Sequence, residues 1–272
     1  MLGYVKLLRP FTLFAPFVAG LLCTLAPLSV FTFDNVLKAF VAGLSLAFLQ
    51  AFGQVVNQVV DRDLDVIAKP HRPIPRGDVS LRGAKILSIV LLLLGLLSTT
   101  AVSFKFFLWS CLVAFMAGFY SLKPFSPRKV NPWLNHLWVS VSRGPLPVLA
   151  CYTVYGSFED ALRYSLLAFV LVFGWQGSKD VVDAPFDRLF GIKTLTSVYG
   201  KATVEYVATL SIITFCILSV VLSTYSFLVL VPVMCYGLKK FSNKVGDTVV
   251  GWRIFYVLLA LFYLTLFFSK RF

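Results

Sequence analysis

Residues 36–65 read VLKAFVAGLSLAFLQAFGQVVNQVVDRDLD, an apolar run that ends in a cluster of acids. A helix needs about 20 apolar residues to cross the roughly 30 Å hydrocarbon core of a bilayer. The part before Asp61 is long enough and is rich in Leu, Val and Phe. The stretch therefore predicts a membrane-spanning helix with carboxylates at one end.

The composition of the whole chain agrees with this interpretation. The 272 residues are 58% hydrophobic and 14% charged, and the mean hydropathy is +0.84. Soluble domains carry roughly 25% charged residues. The composition also excludes a disordered chain, a coiled coil, collagen and a disulfide-rich secreted module. All five cysteines lie inside apolar runs and predict small buried side chains without disulfides.

Further apolar runs predict the number of spans. They begin near Phe11, Val36, Ala84, Phe106, His136, Ala161, Thr203, Ser226 and Gly251. None shows the sustained alternation of a β-barrel strand, and helices satisfy their backbone polar groups within lipid. The first run lacks the cleavage site of a signal peptide and is predicted to be a span. We expect an all-α integral membrane protein, with about nine transmembrane helices bundled in a single domain over residues 1–272.

Basic residues predict the orientation in the cell membrane. If loops alternate between the two sides, 19 of the 25 Lys and Arg residues fall on the side of the N-terminus. Positive loops stay in the cytoplasm, so we expect a cytoplasmic N-terminus and an outside C-terminus. Lys270 and Arg271 oppose this exit for the ninth span. The net charge of +13 is divided among short loops, which argues against a nucleic-acid partner and favours membrane lipids. The sequence names no protein partner.

Two acid clusters repeat the same spacing. In the first, Asn57, Asp61 and Asp65 follow one another in steps of four, and in the second Asp183 and Asp187 do the same. A step of four keeps two residues on one face of a helix. The corresponding aspartates of the two clusters are 122 positions apart. This register predicts two four-helix pseudo-halves, about 1–125 and 130–245, followed by a ninth helix.

The clusters could be merely solvated helix ends, but metal binding is the stronger interpretation. Among their close sequence neighbours only Arg62 offsets the repulsion of the first cluster. Carboxylate and amide oxygens without Cys or His favour Mg²⁺ before Ca²⁺. Because Mg²⁺ commonly joins one or two carboxylates to phosphates, the two clusters could hold one diphosphate between several Mg²⁺ ions.

Several other polar residues are candidates for the same site. Arg72 lies in a loop stiffened by prolines, and arginine suits bidentate phosphate recognition. Tyr120 and Lys123 mark a predicted helix end, although tyrosine at that depth is also common in the aromatic belt. Arg143 lies inside the fifth apolar run, where an arginine is either functional or extends to the membrane surface.

The motif Asn57-xxx-Asp61-xxx-Asp65, the following Arg72-Pro-Ile-Pro-x-Gly77 and the second Asp183-xxx-Asp187 resemble the UbiA superfamily of intramembrane prenyltransferases. The resemblance covers nearly the whole chain. It implies a nine-helix bundle around a central cavity. It also implies Mg²⁺-dependent transfer of a prenyl group from an allylic diphosphate to a lipophilic acceptor, with the active site on the cytoplasmic side.

The resemblance implies a role for each site residue. The metal ligands would be Asn57, Asp61, Asp65, Asp183 and Asp187, with Asp180 as a helper. Arg72 and Lys179 would contact the diphosphate. Tyr120 would belong to the family's Tyr/Lys pair, whose basic position falls on either Lys123 or Arg128. Arg143 remains a further candidate for ligand binding. Replacing Asp61 or Asp183 with Ala is expected to abolish transfer.

The segment from Lys179 to Leu195 is similar to archaeal members, including the branch that makes digeranylgeranylglyceryl phosphate for ether lipids. The donor favoured by that similarity is geranylgeranyl diphosphate, and the acceptor is geranylgeranylglyceryl phosphate. Prenylation of an aromatic acceptor for quinone biosynthesis is the alternative within the family.

A cation or substrate transporter is the alternative of another class, because intramembrane acids also mark ion pathways and transporters often have duplicated halves. Transporter acids usually lie at the middle of the membrane. The acids here lie at predicted helix ends beside basic loops, which favours a phosphate site.

Overall fold

The chain folds into helices joined by short turns in the computed structural model, which describes residues 2–122, 124–243, 248–269 and 271. These ranges contain no β-strand. The α-helices are α1 (Leu2–Leu8), α2 (Phe14–Leu25), α3 (Phe33–Val60), α4 (Arg62–Ala68), α5 (Leu81–Thr99), α6 (Phe104–Phe119), α7 (Pro127–Val130), α8 (Pro132–Arg143), α9 (Pro145–Tyr152), α10 (Phe158–Trp175), α11 (Ala184–Leu189), α12 (Leu195–Tyr199), α13 (Lys201–Val221), α14 (Leu230–Asn243) and α15 (Thr248–Phe268). Short 3₁₀ helices span Pro10–Leu13, Gln176–Asp180 and Tyr225–Val229.

Polar side chains cap the first turn of many helices. In each case a hydroxyl or amide oxygen accepts a hydrogen bond from a backbone N–H two or three residues further on. The capping residues are Thr32, Ser80, Ser103, Asn131, Ser157 and Thr194. Because the first N–H groups of a helix have no partner within it, these caps fix where the apolar segments start.

Four helices are long and apolar enough to cross a membrane: α3, α5, α13 and the part of α15 from Val250 to Phe268. The pair Leu2–Leu8 and Pro10–Leu25, bent by 43°, would make a fifth span, and α6 is a shorter apolar helix. Large apolar side chains such as Leu97 on α5 and Ile217 on α13 are exposed on the outer surface. The helices and their exposed apolar surface indicate a membrane protein, as predicted.

The long helices surround a central space. α3 packs against α2, α5 and α6, while α15 packs against α2, α10 and α14. The largest apolar core joins α2, α9, α10 and α15 and contains the fully buried Trp175, Phe227 and Phe262. The five cysteines are free, as expected from their positions in apolar runs.

Three breaks in the helices face this space. One separates α1 from α2 at Arg9, and another separates α3 from α4 at Asp61. The third lies at Gly144, where α8 ends and α9 begins with Pro145. Arg143, which the sequence places in the fifth apolar run, is the last residue of α8, because the Gly-Pro pair interrupts the helix there.

Arg271 opposed the predicted topology, and its contacts in the structure explain its position. The guanidinium of Arg271 stacks on Phe31 and Phe267, with ring distances of 4.8 and 3.7 Å. It also donates to the carbonyl of Leu28 at 3.2 Å, just beyond the end of α2. A cation is favoured at the negative end of a helix dipole, so this charge has a local structural role. Lys270 lies outside the described residues.

The crossing of α2 and α3 generates the first testable prediction. A Cβ atom added at Gly20 would lie 2.4 Å from the Cα of Gly43, whereas one at Gly118 would meet only the ring of Phe52, at 3.2 Å. Because the backbone of α3 cannot move aside, Gly20→Ala should destabilise the fold by about 1–3 kcal/mol. Thermal unfolding in detergent measures this. Gly118→Ala is the matched control, and equal melting temperatures for both variants would contradict the prediction.

Candidate active site

A cavity of about 820 Å³ opens between the helices. Its apolar wall comes from α3, α6 and α15 and includes Leu46, Val113, Leu259 and Tyr263. All but one of the residues nominated from the sequence line it: Asn57, Asp61, Asp65, Arg72, Tyr120, Arg128, Arg143, Lys179, Asp180, Asp183 and Asp187. The exception, Lys123, lies outside the described residues. The two acid clusters, 122 positions apart in the chain, therefore share one cavity.

The first cluster lies on consecutive helical turns, as its spacing predicted. The backbone N–H of Asp61 donates to the carbonyl of Asn57 at 2.9 Å, and that of Asp65 donates to Asp61 at 2.8 Å. The amide of Asn57 also donates to Oδ2 of Asp61 at 2.8 Å and to Oγ of Ser121 at 3.1 Å. These bonds carry the cluster across the break between α3 and α4.

Asp61 forms a buried ion pair with Arg128 of α7. Both guanidinium NH groups donate to the carboxylate, each at 2.6 Å. The side chains of Arg128 and Asp61 are only 3% and 12% exposed. The Arg128 guanidinium also lies over the ring of Tyr120, 5.4 Å from its centroid. Arg128 is thus a basic residue of the cavity, next to the tyrosine with which it was paired by sequence.

Asp65 forms a second buried pair with Arg72. One guanidinium nitrogen donates to both carboxylate oxygens, at 2.8 and 2.6 Å. Residues 69–80 form turns, as the prolines predicted, and this stiff loop returns Arg72 to the end of α4. Burial raises the pKa of the Asp65 carboxyl, and the charge of Arg72 opposes that rise.

The second cluster lies at the start of α11. Asp183 caps this helix, and the backbone N–H of Asp187 donates to its carbonyl at 2.8 Å. Lys69 reaches from the first half of the chain to Oδ2 of Asp183, at 2.6 Å. Lys179 pairs with the adjacent Asp180 at 2.7 Å. The Lys69–Asp183 bond therefore connects the two clusters directly.

Asp187 differs from these paired acids. Within the part of the chain that the structure describes, its carboxylate has no cationic partner and accepts only a 3.4 Å bond from the hydroxyl of Thr194. Burial, followed by the charges of Asp180 and Asp183, raises the pKa of Asp187 to about 7. This carboxyl is therefore partly protonated at neutral pH before any cation binds.

The charge balance of the first cluster involves more cations than its close sequence neighbour. Arg62 was expected to offset this cluster, and it pairs with Asp63, an acid of the cluster whose side chain is 84% exposed. Asp61 and Asp65 are instead neutralised by Arg128 and Arg72. Sequence proximity missed these pairs because the partners come from other elements of the fold.

The donor set fits a Mg²⁺ ion that is shared with a phosphorylated ligand. The acid clusters offer only carboxylate and amide oxygens, which is the chemistry that Mg²⁺ prefers. Among the described residues, no three His, Cys, Asp or Glu side chains form a ready metal centre. Since Mg²⁺ usually takes one or two protein carboxylates and completes its shell with water and phosphate, this grouping is compatible with joint binding.

Two cationic side chains that line the cavity, Lys69 and Arg9, were not nominated from the sequence. Lys69 bridges the clusters, and its position four residues after Asp65 was the available signal. Arg9 lies at the break before α2 and donates to Oε1 of Gln54 at 3.0 Å. An arginine beside an apolar run, immediately before Pro10, could have marked it.

The sequence profile of the UbiA prenyltransferase family matches residues 13–248. The bacteriochlorophyll synthase 34 kDa chain of Chloroflexus aurantiacus is 30% identical over 204 residues, which are 72% of this chain and 64% of that protein. Digeranylgeranylglyceryl phosphate synthase of Methanobrevibacter smithii is 26% identical over 257 residues, or 90% of this chain and 89% of that one.

Solved structures share the fold over nearly the full length. A UbiA homolog from Archaeoglobus fulgidus bound to GPP and Mg²⁺ superposes with a TM-score of 0.77 at 20% identity, covering 99% of this chain and 100% of the other. A structure described as digeranylgeranylglyceryl phosphate synthase has a TM-score of 0.69 at 19% identity, with 99% and 98% covered. These likenesses support the helical fold.

The buried pair of Asp61 and Arg128 generates the second prediction. Asp61→Ala removes the partner of a buried guanidinium, which should cost about 3–5 kcal/mol of folding stability. The control is Asp63→Ala, which removes an exposed pair worth about 0–1 kcal/mol. Thermal unfolding of both variants measures the difference. A melting temperature for Asp61→Ala as high as that of the control would contradict the burial argument.

The raised pKa of Asp187 generates a prediction about pH in metal-free protein. Because its folded pKa of about 7 exceeds the unfolded value of about 3.9, ionisation in the cavity opposes folding. Its contribution to stability is complete below about pH 4 and is lost as the pH rises through 7. Asp187→Asn cannot ionise, so its melting temperature relative to wild type should rise between pH 5 and pH 8, by about 5–10 °C for a linkage effect of about 2.6 kcal/mol. Thermal unfolding with a chelator present tests this, and a pH-independent difference would refute it.

Proposed function

The chain belongs to the UbiA prenyltransferase family, and on that premise we propose that it transfers a geranylgeranyl group from its diphosphate to geranylgeranylglyceryl phosphate. Family membership confirms the resemblance noted in the sequence and makes the chain a prenyl-transferring enzyme. Membership in an enzyme family also argues against the alternative that the chain is a cation or substrate transporter. The donor, the acceptor, the need for Mg²⁺ and the orientation in the membrane are the proposed parts.

One observation carries the proposal for the donor end of the site: two aspartate clusters and their cationic partners line a single cavity and are joined by Lys69. An allylic diphosphate offers an anionic head for these cations and an apolar tail for the wall formed by α3, α6 and α15. A membrane location suits this reaction because the tail of each substrate is itself a lipid.

The acceptor is proposed from the relatives. Two proteins named digeranylgeranylglyceryl phosphate synthase align with 90% and 94% of this chain, whereas the bacteriochlorophyll synthase alignment covers 72%. Alignments of this length necessarily include both acid clusters, so they support an acceptor like that of these synthases.

We propose that the ion pairs exchange partners when substrate binds. Asp61, Asp65, Asp183 and Asp187, with the amide oxygen of Asn57, would hold Mg²⁺, which when bound supplies positive charge against the departing diphosphate. Release of the carboxylates frees Arg128, Arg72 and Lys69, and these with Lys179 would donate hydrogen bonds to the diphosphate oxygens. The cations need only small movements, because they already lie in the cavity.

The transfer step then proceeds in the cavity, between the two bound substrates. A lone pair of the acceptor hydroxyl forms a C–O bond with the first carbon of the prenyl group. The bond from that carbon to the diphosphate oxygen breaks, and its electron pair leaves with the diphosphate. The hydroxyl proton passes to water at the cavity mouth. The cationic residues lower the barrier because they stabilise the charge that develops on the leaving group.

For the membrane we propose nine spans and two pseudo-halves followed by a ninth helix. The spans would be α1 with α2, then α3, α5, α6, α8 with α9, α10, α13, α14 and α15. The N-terminus and the charged end of the cavity would face the cytoplasm. This is supported by the basic loops and by α1, in which Gly3 lies against Asp78 and Val79 near the site.

A transfer assay tests the function. Purified protein with Mg²⁺ and labelled geranylgeranyl diphosphate is offered geranylgeranylglyceryl phosphate, 4-hydroxybenzoate or dihydroxynaphthoate in separate reactions. We expect chelator-sensitive product with the glyceryl phosphate alone. Product with an aromatic acceptor instead would overturn the acceptor, and failure to bind the diphosphate would overturn the donor.

Variants make the assay specific to the cavity. Asp183→Asn keeps the shape of the side chain but loses the charge held by Lys69, and we expect transfer to fall by at least about 100-fold, as when a main electrostatic contact is lost. Asp34→Asn is the control, since Asp34 is an exposed acid that pairs with Lys38 near the start of α3, remote from the site. Equal activity of the two variants would contradict the proposed role of the second cluster.

A further inference from the structure

Two arginines of the cavity stand apart from the ion pairs described above. Arg128, Arg72, Lys69 and Lys179 each have a carboxylate partner. Arg9 and Arg143 line the same cavity, but neither forms an ion pair with any residue that the structure describes. Since a guanidinium within a membrane protein is costly unless it is compensated, this second group of charges needs a separate explanation.

Most of the hydrogen-bonding capacity of these two side chains is unused. A guanidinium carries five N–H donors. Arg9 uses one of them, on the side-chain oxygen of Gln54 at 3.0 Å, and the side chain of Arg143 has no hydrogen-bond partner in the described part of the chain. Arg9 is repelled by the charge of Arg72 and, less strongly, by that of Arg143. An anion in the cavity would relieve that repulsion and accept the free N–H groups.

The fold holds both arginines at breaks that face the cavity. Arg9 has a left-handed backbone, with φ of 54°, at the start of the 3₁₀ helix before α2. Its carbonyl accepts bonds from the N–H and the hydroxyl of Thr12, the latter at 2.8 Å. Arg143 ends α8 just before the Gly144–Pro145 break. A strained non-glycine residue persists where surrounding contacts hold it, which is common at ligand sites.

Arg9 is anchored deeper along α3 than the acids of the first cluster, although it remains within electrostatic range of Arg72 and Asp183. Gln54, the partner of Arg9, precedes Asp61 by seven residues on α3, which corresponds to about 10 Å along the helix. The wall beside Arg9 is aromatic, since Phe11 stacks on Trp252 with 4.6 Å between ring centroids and lies edge-on to Tyr256. A second anion could therefore bind deeper than the diphosphate, with room between the two for the reacting atoms.

We infer that Arg9 and Arg143 form an anion subsite that binds the phosphate of the acceptor and so selects phosphorylated over neutral acceptors. This rests on the proposed function, because it assigns the second substrate of the same site. Arginine suits the task, since its planar fork matches phosphate oxygens in a bidentate manner. With the phosphate fixed there, the acceptor hydroxyl is directed towards the prenyl carbon.

Kinetics of Arg9→Gln and Arg143→Gln test the subsite. The KM for geranylgeranylglyceryl phosphate should rise by about 10- to 100-fold, the loss of one or two charge-assisted hydrogen bonds. The KM for geranylgeranyl diphosphate should change less than about twofold, and transfer to the neutral alcohol geranylgeranylglycerol should fall by a smaller factor than transfer to geranylgeranylglyceryl phosphate. The control is Arg163→Gln, because Arg163 is exposed near the start of α10 and pairs with Glu159.

The two KM values distinguish this subsite from an extension of the diphosphate site. A rise in the KM for the diphosphate that equals or exceeds the rise for the acceptor would overturn the inference, as would unchanged KM values. Arg9→Lys and Arg143→Lys retain a cation without the fork, so they serve where the glutamine variants fail to fold. They should raise the acceptor KM alone, and by a smaller factor.

A binding measurement separates this inference from the proposed function. Wild-type protein with Mg²⁺ and the unreactive thiolodiphosphate analogue is heated with and without geranylgeranylglyceryl phosphate. If geranylgeranylglyceryl phosphate stabilises the wild-type protein but neither glutamine variant, the subsite is supported. If in that case no product forms, only the proposed transfer reaction is overturned. Product formation with unchanged kinetics in the variants would leave the function standing and overturn the subsite. Neither stabilisation nor product would overturn both.

Discussion

Neutralisation of buried carboxylates is the constraint on which the arrangement of the site depends. An ionised carboxylate in a cavity of low dielectric constant is costly unless a cation lies beside it. The fold meets this requirement with partners from other elements, so that Arg128 of α7 neutralises Asp61 and Arg72 of the following loop neutralises Asp65, while Lys69 pairs with the less buried Asp183. The ion pairs therefore connect the short segments around the cavity mouth to the ends of the long helices.

The same constraint links folding to ligand binding. The cations that neutralise the acids in the free protein are the groups best placed to receive a diphosphate, and the acids are the groups best placed to receive Mg²⁺. Binding of Mg²⁺ and the diphosphate together would keep the charges in the cavity balanced. Each acid and each cation would exchange its present partner for a ligand. Asp187, whose pKa is raised to about 7 by burial and neighbouring acids, lacks such a cation among the residues that the structure describes. Within the same described ranges, Arg9 and Arg143 contribute positive charge without carboxylate partners, which favours a second anion in the cavity.

Packing of the long helices keeps this charged layer and the apolar wall in place. Close approach of α2 and α3 at Gly20 and Gly43 depends on the absence of side chains at the crossing. α15 packs against α2 on one side and against α10 and α14 on the other, and it supplies aromatic wall residues such as Trp252 and Tyr263. The last helix is therefore part of the cavity as well as of the bundle.

The sequence by itself determined the helical membrane class, the family and eleven of the residues that line the cavity, because hydrophobic runs and steps of four depend only on local helix geometry. The nine spans and their orientation remain predictions, since apolar length alone identifies four or five of them in the structure. Only the tertiary structure decided which charges meet. Sequence proximity assigned Arg62 to the first cluster, where it pairs with the exposed Asp63. The partners of Asp61 and Asp65 are Arg128 and Arg72, and Arg9 and Lys69 were not nominated. Ion pairs between distant segments depend on how helices cross and where loops return, and these are set by packing of the whole chain rather than by local spacing.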